Sequence, residues 1–174
     1  MSSEDFPTSP SPKYIPFSEE HESIVSCGAP VDLNLKSLFK DSTIVIASVP
    51  FAFSPTCTEE HIPDYIKHID QFKSEGVDKI IVLSASDPFA MSAWGKALGV
   101  KDPANYIIFA HDVDLGIAKA LGSDYIADLS KGGLGVRSQR YAGIIENGEI
   151  KYLESENELN FTEISSAETL LKRL

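Results

Sequence analysis

Three short β-rich runs with helical periodicities between them constrain this chain more than any other feature. Ile44-Val45-Ile46-Ala47-Ser48-Val49, Lys79-Ile80-Ile81-Val82-Leu83-Ser84 and Tyr106-Ile107-Ile108-Phe109 read as buried strands. After the first of them, Ile62, Tyr65, Ile66, Ile69 and Phe72 recur mostly three and four apart, tracing one helical face that Gly76 closes. Phe89 to Leu98 reads as a second helix, with Asp87 as its cap and Pro88 in its first turn. A shorter third helix runs from Leu115 to Leu121 and stops at Gly122.

The last third changes character. Tyr141-Ala142-Gly143-Ile144-Ile145 and Ile150-Lys151-Tyr152-Leu153 flank Asn147-Gly148, a strong hairpin signal, and a final helix is expected over Ala167 to Leu174. Strands alternating with helices, then a hairpin and a last helix, define an α/β fold with a mixed sheet flanked by helices. A thioredoxin-like layout fits that order, although the pattern alone does not single it out. Residues 1–13 carry Pro7, Pro10 and Pro12 among serines and are expected as a mobile or extended lead-in. Residues 14–174 then form one domain, and 43% apolar residues suffice for its core.

Fifteen basic against 26 acidic side chains leave a formal charge of −11, which argues against a nucleic-acid partner. No apolar run approaches the roughly 20 residues of a membrane-spanning helix, and Glu4 and Asp5 stand where a signal peptide would be basic. The chain is therefore expected to be intracellular, where thiols stay reduced and two cysteines are reactive groups more often than a structural staple.

Of the two, Cys57 has the more telling setting. It follows Pro50-Phe51-Ala52-Phe53-Ser54-Pro55-Thr56 and opens the first helical stretch. The thiolate is the nucleophilic form, and free N–H groups at a helix start favour negative charge there. Ser54 can offer a hydroxyl to the same place, while Pro50 and Pro55 stiffen the approach. By itself this pattern leaves a reactive thiol and a buried inert one equally open.

Pro50-x-x-x-Ser54-x-x-Cys57 resembles the peroxiredoxin active-site motif Pro-x-x-x-Thr/Ser-x-x-Cys. The string from Ala52 through Cys57-Thr58-Glu59-Glu60-His61-Ile62-Pro63-Asp64-Tyr65 is similar to the peroxiredoxin 5 subfamily. So are Asp87-Pro88-Phe89-Ala90-Met91-Ser92-Ala93-Trp94-Gly95-Lys96 and Arg140-Tyr141-Ala142-Gly143-Ile144-Ile145-Glu146-Asn147-Gly148. The likeness is strongest to the fungal thioredoxin peroxidases, also called alkyl hydroperoxide reductases. It implies a thioredoxin-like fold and a thiol-dependent peroxidase acting on hydrogen peroxide and alkyl hydroperoxides, with no cofactor.

The resemblance also implies roles. Cys57 attacks one peroxide oxygen and becomes a sulfenic acid. Pro50 shields that intermediate, the Ser54 hydroxyl contacts sulfur and peroxide, and the Arg140 guanidinium holds thiolate and developing oxyanion together. Arg137, the competing arginine, is expected as a solvated loop charge. Phe51 stands where the family has Gly or Ala and is expected to crowd the loop or narrow the peroxide entrance.

Fungal relatives carry a resolving cysteine in the region of Cys27, within Ser26-Cys27-Gly28-Ala29-Pro30, and form their disulfide between the subunits of a homodimer. Cys27 is the expected resolving residue and thioredoxin the expected reductant; a spectator Cys27 in a one-cysteine enzyme is the competing reading. His61, on the helical face of Cys57, lacks the companions a metal site needs and is expected to support the site structurally. Pro63 cannot donate to the Glu59 carbonyl, so the turn carrying Cys57 is expected to be loosely tied and able to unwind. Rival functions are a peroxide sensor that relays oxidation to a protein partner and, behind it, a structural or chaperone role. Lys172-Arg173-Leu174 matches the Ser-Lys-Leu peroxisomal signal only in its last two positions, which leaves the cytoplasm as the expected compartment.

Overall fold

The chain joins its sheet from one edge. In the computed structural model, which describes residues 4–174, β1 (Lys13–Tyr14) pairs antiparallel with β2 (Val31–Asp32). Next come α1 (Leu35–Phe39), β3 (Thr43–Ser48), a wide helical turn (Cys57–His61), α2 (Ile62–Lys67) and α3 (Ile69–Ser74). The middle of the chain supplies β4 (Lys79–Ser84), α4 (Pro88–Ala97), β5 (Ile107–His111) and α5 (Gly116–Leu121). A small ribbon of β6 (Ile126–Asp128) and β7 (Val136–Ser138) precedes β8 (Tyr141–Glu146), β9 (Glu149–Ser155) and α6 (Ala167–Arg173).

Among the described residues seven strands form one sheet in the order β2-β1-β5-β4-β3-β8-β9. β3, β4 and β5 are parallel and β8 and β9 antiparallel, so the expected mixed α/β sheet with thioredoxin-like layout is the fold observed. Period two divides each central strand between two cores. Val45 and Ala47 join Tyr65, Phe72, Met91, Trp94 and Leu170 on one face, while Ile44 and Ile46 join Phe39, Ile117 and Tyr141 on the other. That double burial is why the central runs read as continuously apolar.

The hairpin is as expected: Asn147 and Gly148 both take positive φ, 49° and 86°, the geometry of the two-residue turn that matches strand twist. The first helix departs from expectation. Its apolar residues do face one core, but the backbone is wide at Cys57–His61 and breaks again at His68. The cause of the second break is local. The His68 Nδ1–H donates to the Asp64 carbonyl at 2.7 Å, taking the acceptor that a continuous helix would need for its own backbone.

Of the expected lead-in 1–13, residues 1–3 lie outside the described part. From Glu4 onward the segment is extended but docked. Phe6 is 2% exposed, its N–H donates to the Gly148 carbonyl at 3.0 Å, and its ring meets Phe39 edge-on. One aromatic ring inserted between the hairpin turn and α1 outweighs the loop character of the neighbouring prolines. Phe6→Ala is expected to destabilise the protein by about 3 kcal/mol in a urea titration, the usual cost of removing a buried ring. An unchanged midpoint would show that the segment contributes nothing to the fold.

Candidate active site at the end of the third strand

Strand register brings together residues far apart in the chain. β3 and β8 run antiparallel with Ser48 opposite Tyr141, so the loop leaving β3 lies beside Arg140, the residue before β8. Two hydroxyls fasten this junction: Ser48 Oγ donates to the Gln139 carbonyl at 3.0 Å and Ser138 Oγ to the Val49 carbonyl at 3.1 Å. Buried Pro50 follows, and Phe53 then reverses the chain with a φ of 64°. The Thr58 N–H closes on the Ser54 carbonyl at 2.9 Å, which sets Cys57 in the first helical turn.

That turn is wide for a reason that lies in Pro63. A proline has no N–H for the Glu59 carbonyl, and its ring crowds that carbonyl in a regular helix. Here the preceding donor, the Ile62 N–H, bonds back to the Cys57 carbonyl, a five-residue span instead of four. Trp94 Nε1 donates to Thr58 Oγ1 at 3.1 Å and steadies the turn from α4.

Cys57 is fully buried, and its sulfur accepts a hydrogen bond from Arg140 Nη2 at 3.3 Å. The same guanidinium donates through Nη1 to His61 Nδ1 at 2.9 Å and through Nε to the Leu159 carbonyl at 3.4 Å. Since arginine only donates, His61 Nδ1 must accept. Its Nε2 then carries the proton and donates to the Ser165 carbonyl at 3.1 Å. Burial, and next the Arg140 charge, lower the His61 pKa to about 3, so this imidazole is neutral around neutral pH.

Behind His61, Tyr65 Oη donates to the same Ser165 carbonyl at 2.6 Å, and Phe161 lies against the ring. Ser165 is fixed in turn by buried Glu156, whose carboxylate receives Ser165 Oγ at 2.6 Å and Thr162 Oγ1 at 2.7 Å. Burial alone would raise the Glu156 pKa, but the Ser165 and Thr162 donors outweigh it and hold the group below the usual carboxylate range. A chain of neutral contacts therefore runs from Arg140 to one satisfied carboxylate on the loop before α6.

No ion pair among the described residues includes Arg140, although it is only 2% exposed. A buried cation held by neutral acceptors is costly unless an anion joins it. Among its hydrogen-bond partners the Cys57 sulfur is the group that can carry a negative charge. This arrangement can stabilise a thiolate and an oxygen that gains charge as it leaves.

Comparison with known proteins decides the family. The redoxin family model matches residues 13–171. A protein of Lipomyces kononenkoae named "Putative peroxisomal peroxiredoxin" is 45% identical over 145 residues, 83% of this chain and 84% of its own. Peroxiredoxin Pen c 3 of Penicillium citrinum is 36% identical over 171 residues, 98% of this chain and 96% of its own. The chain is a member of the peroxiredoxins. Reduced Prx3 of Vibrio vulnificus, solved in complex with hydrogen peroxide, superposes with a TM-score of 0.81 at 35% identity, covering 99% of this chain and 97% of its own. The expected thioredoxin-like fold and thiol peroxidase function stand on these matches. Peroxiredoxin 5 of Alvinella pompejana superposes with a TM-score of 0.72 at 26% identity, covering 98% of this chain and 95% of its own, and supports the expected peroxiredoxin 5 subfamily.

Within this peroxiredoxin, hydrogen bonds join Cys57, Arg140 and His61, buried Pro50 lies in the loop that leaves β3, and other expected site residues lie elsewhere. Ser54 Oγ points to the Phe51 carbonyl at 3.5 Å, a long bond, and makes no hydrogen bond to sulfur. Arg137 is no solvated loop charge: it sits half-buried on β7, over the Phe51 ring at 4.5 Å, with Nε on the Leu134 carbonyl at 2.9 Å. Phe51 thus supplies a ring that a smaller residue could not offer that guanidinium. Cys27 is half-buried on a separate loop, and both thiols are free. Glu156, Ser165 and the Tyr65 hydroxyl were missed; Glu156 stands in an acidic run with no periodicity to mark it as buried.

The His61 geometry carries a pH dependence. The unfolded imidazole binds its proton near pH 6.5 and the folded one near 3, so between these values the unfolded state holds more protons. Stability is full above pH 6.5 and lost as pH falls towards 3, by up to about 5 kcal/mol. Thermal melts should show the midpoint dropping steadily from pH 7 to pH 4. His61→Asn keeps an acceptor for Arg140 and should flatten most of that slope; parallel curves for the two proteins would refute the assignment.

Proposed function

We propose that this peroxiredoxin reduces hydrogen peroxide and alkyl hydroperoxides through Cys57, with Cys27 resolving the oxidised sulfur and thioredoxin returning both to thiols. The observation that carries the reading is the buried Arg140 fork, with one nitrogen on the Cys57 sulfur and another on neutral His61. A relative solved in complex with hydrogen peroxide supports the substrate class.

In the first step the Cys57 thiolate attacks one peroxide oxygen. The S–O bond forms as the O–O bond breaks, and the other oxygen leaves with a proton as water or an alcohol. Arg140 donates to sulfur and to the departing oxygen, and its charge is undiminished because no carboxylate shares it. A small rotation takes Ser54 Oγ from its long bond with the Phe51 carbonyl to the peroxide. Pro50, itself buried in the loop that leads to this turn, adds no competing N–H and is read as the residue that shields the product.

In the second step the first helical turn unwinds. Its five-residue bond and missing Pro63 donor make it the weakest turn of its helix. Cys27 then attacks the sulfenic sulfur, the S–S bond forms, and hydroxide leaves with a proton as water. The pairing is taken to join the two subunits of a homodimer, as the resemblance to the fungal thioredoxin peroxidases implies. Cytoplasmic residence belongs to the same proposal, beside relatives named for the peroxisome and the mitochondrion.

Non-reducing electrophoresis after one equivalent of hydrogen peroxide tests this directly. Wild type should give a covalent dimer that Cys27→Ser abolishes and that thioredoxin with its reductase returns to monomer. An oxidised monomer in wild type would overturn the intersubunit pairing. Mixed disulfides with other proteins and no turnover with thioredoxin would favour the relay function instead.

A further inference from the structure

We propose that Lys96 is a positioning residue for the disulfide step, its buried ammonium holding the loop that carries Cys27. The inference rests on the reading of Cys27 as the resolving thiol.

The loop 22–30 has no strand or helix of its own around Cys27, and its side chains give it little apolar anchorage. Ile24 is 53% exposed and Val25 96%. Its ties are polar. Lys96, near the end of α4 and 6% exposed, donates from Nζ to the Ser26 carbonyl at 2.5 Å and to the Ser23 carbonyl at 3.3 Å. The remaining ties are smaller: His21 Nδ1 with Ser26 Oγ at 2.7 Å, and an exposed Glu22–Lys101 pair at 3.2 Å that solvent weakens.

No ion pair among the described residues includes Lys96. A lysine buried without a counter-ion is an expensive way to fill space, since an apolar side chain of similar length would pack there without desolvating a charge. What the ammonium adds is a pair of charge-assisted bonds to the backbone of the residue immediately before Cys27 and of one three residues earlier.

The same helix also holds the turn that carries the other thiol. Ser86, just before α4, receives the Ala52 N–H at 3.1 Å, and Trp94 holds Thr58, the neighbour of Cys57, at 3.1 Å. In each subunit α4 therefore steadies that subunit's Cys57 turn and, two residues further on, its Cys27 loop, so the turn that unwinds in one subunit meets a loop that α4 holds in the other. During resolution one partner moves and the other is held, which limits the conformational search before the sulfurs meet. No further reactant is needed: the Cys27 thiolate displaces hydroxide from the Cys57 sulfenic acid, and water is the product.

Trp94 is the one tryptophan of the chain, and its contact with Thr58 makes its fluorescence a reporter of Cys57 oxidation. Rapid mixing with hydrogen peroxide should resolve a second-order phase for sulfenic acid formation and a first-order phase for resolution. Lys96→Met, which keeps the stem and removes the donors, should leave the second-order constant within about twofold and slow resolution about tenfold. Sulfinic acid at Cys57, read by mass spectrometry at excess peroxide, should rise in parallel. Lys96→Gln keeps one donor and should show a smaller slowing in the same phase; it serves if the Met variant does not fold. Resolution that is unchanged or faster in either folded variant overturns the role of Lys96. Cys27→Ser is the separate control: if its first-order phase persists, the reading of Cys27 itself fails, whatever Lys96 does.

Discussion

Everything at this site depends on an arginine buried without a carboxylate. Arg140 is held by the His61 nitrogen and the Leu159 carbonyl, both neutral, and its remaining nitrogen points at the Cys57 sulfur. An acidic partner in place of His61 would cancel the charge that the sulfur and the leaving oxygen need. A protonated His61 would repel the guanidinium and could not accept from it. Burial keeps the imidazole neutral, so a single environmental effect fixes the arginine and preserves its charge. The Glu156 carboxylate, which could have competed, is occupied instead by Ser165 and Thr162.

The cost of that burial explains how much of the fold converges on this point. Antiparallel register places Arg140 beside the end of β3, and serines on both strands lock the junction. Tyr65 and the loop before α6 close over His61. The thiol itself sits in a turn that the sequence weakens, through Pro63. A buried cation facing a wide turn suits the proposed reaction, in which the sulfur reacts where it is buried and the turn then unwinds.

Where periodicity is long, the sequence was legible. The runs at β3, β4 and β5 are apolar on both faces, Asn147-Gly148 permits little but a tight hairpin, and Asp87-Pro88 caps α4 through the Ala90 N–H. The strands β1 and β2 are two residues each, too short for any period to register. Phe6 is one apolar residue among prolines and acids, and only the groove beside Phe39 reveals its place. The helix break at His68 comes from a side chain taking a backbone acceptor, which no pattern of apolar residues records. At the site, motif spacing picked out Cys57, Ser54 and Arg140, of which Cys57 and Arg140 share a hydrogen bond, but it does not encode the Ser54 hydroxyl's orientation. It also misread Arg137, because a ring from the distant residue Phe51 decides where that guanidinium rests.

In the proposed first step the Arg140 fork, and not positive charge alone, activates Cys57. The measurement that tests it is the second-order rate constant of Cys57 with hydrogen peroxide in Arg140→Lys, made in a Cys27→Ser background so that only this step is read. Lysine keeps the charge but cannot hold His61 and the sulfur together. The rate constant should fall at least about a hundredfold, the scale of losing one oriented donor at a developing oxyanion. A rate within about threefold of the Arg140 protein would contradict it.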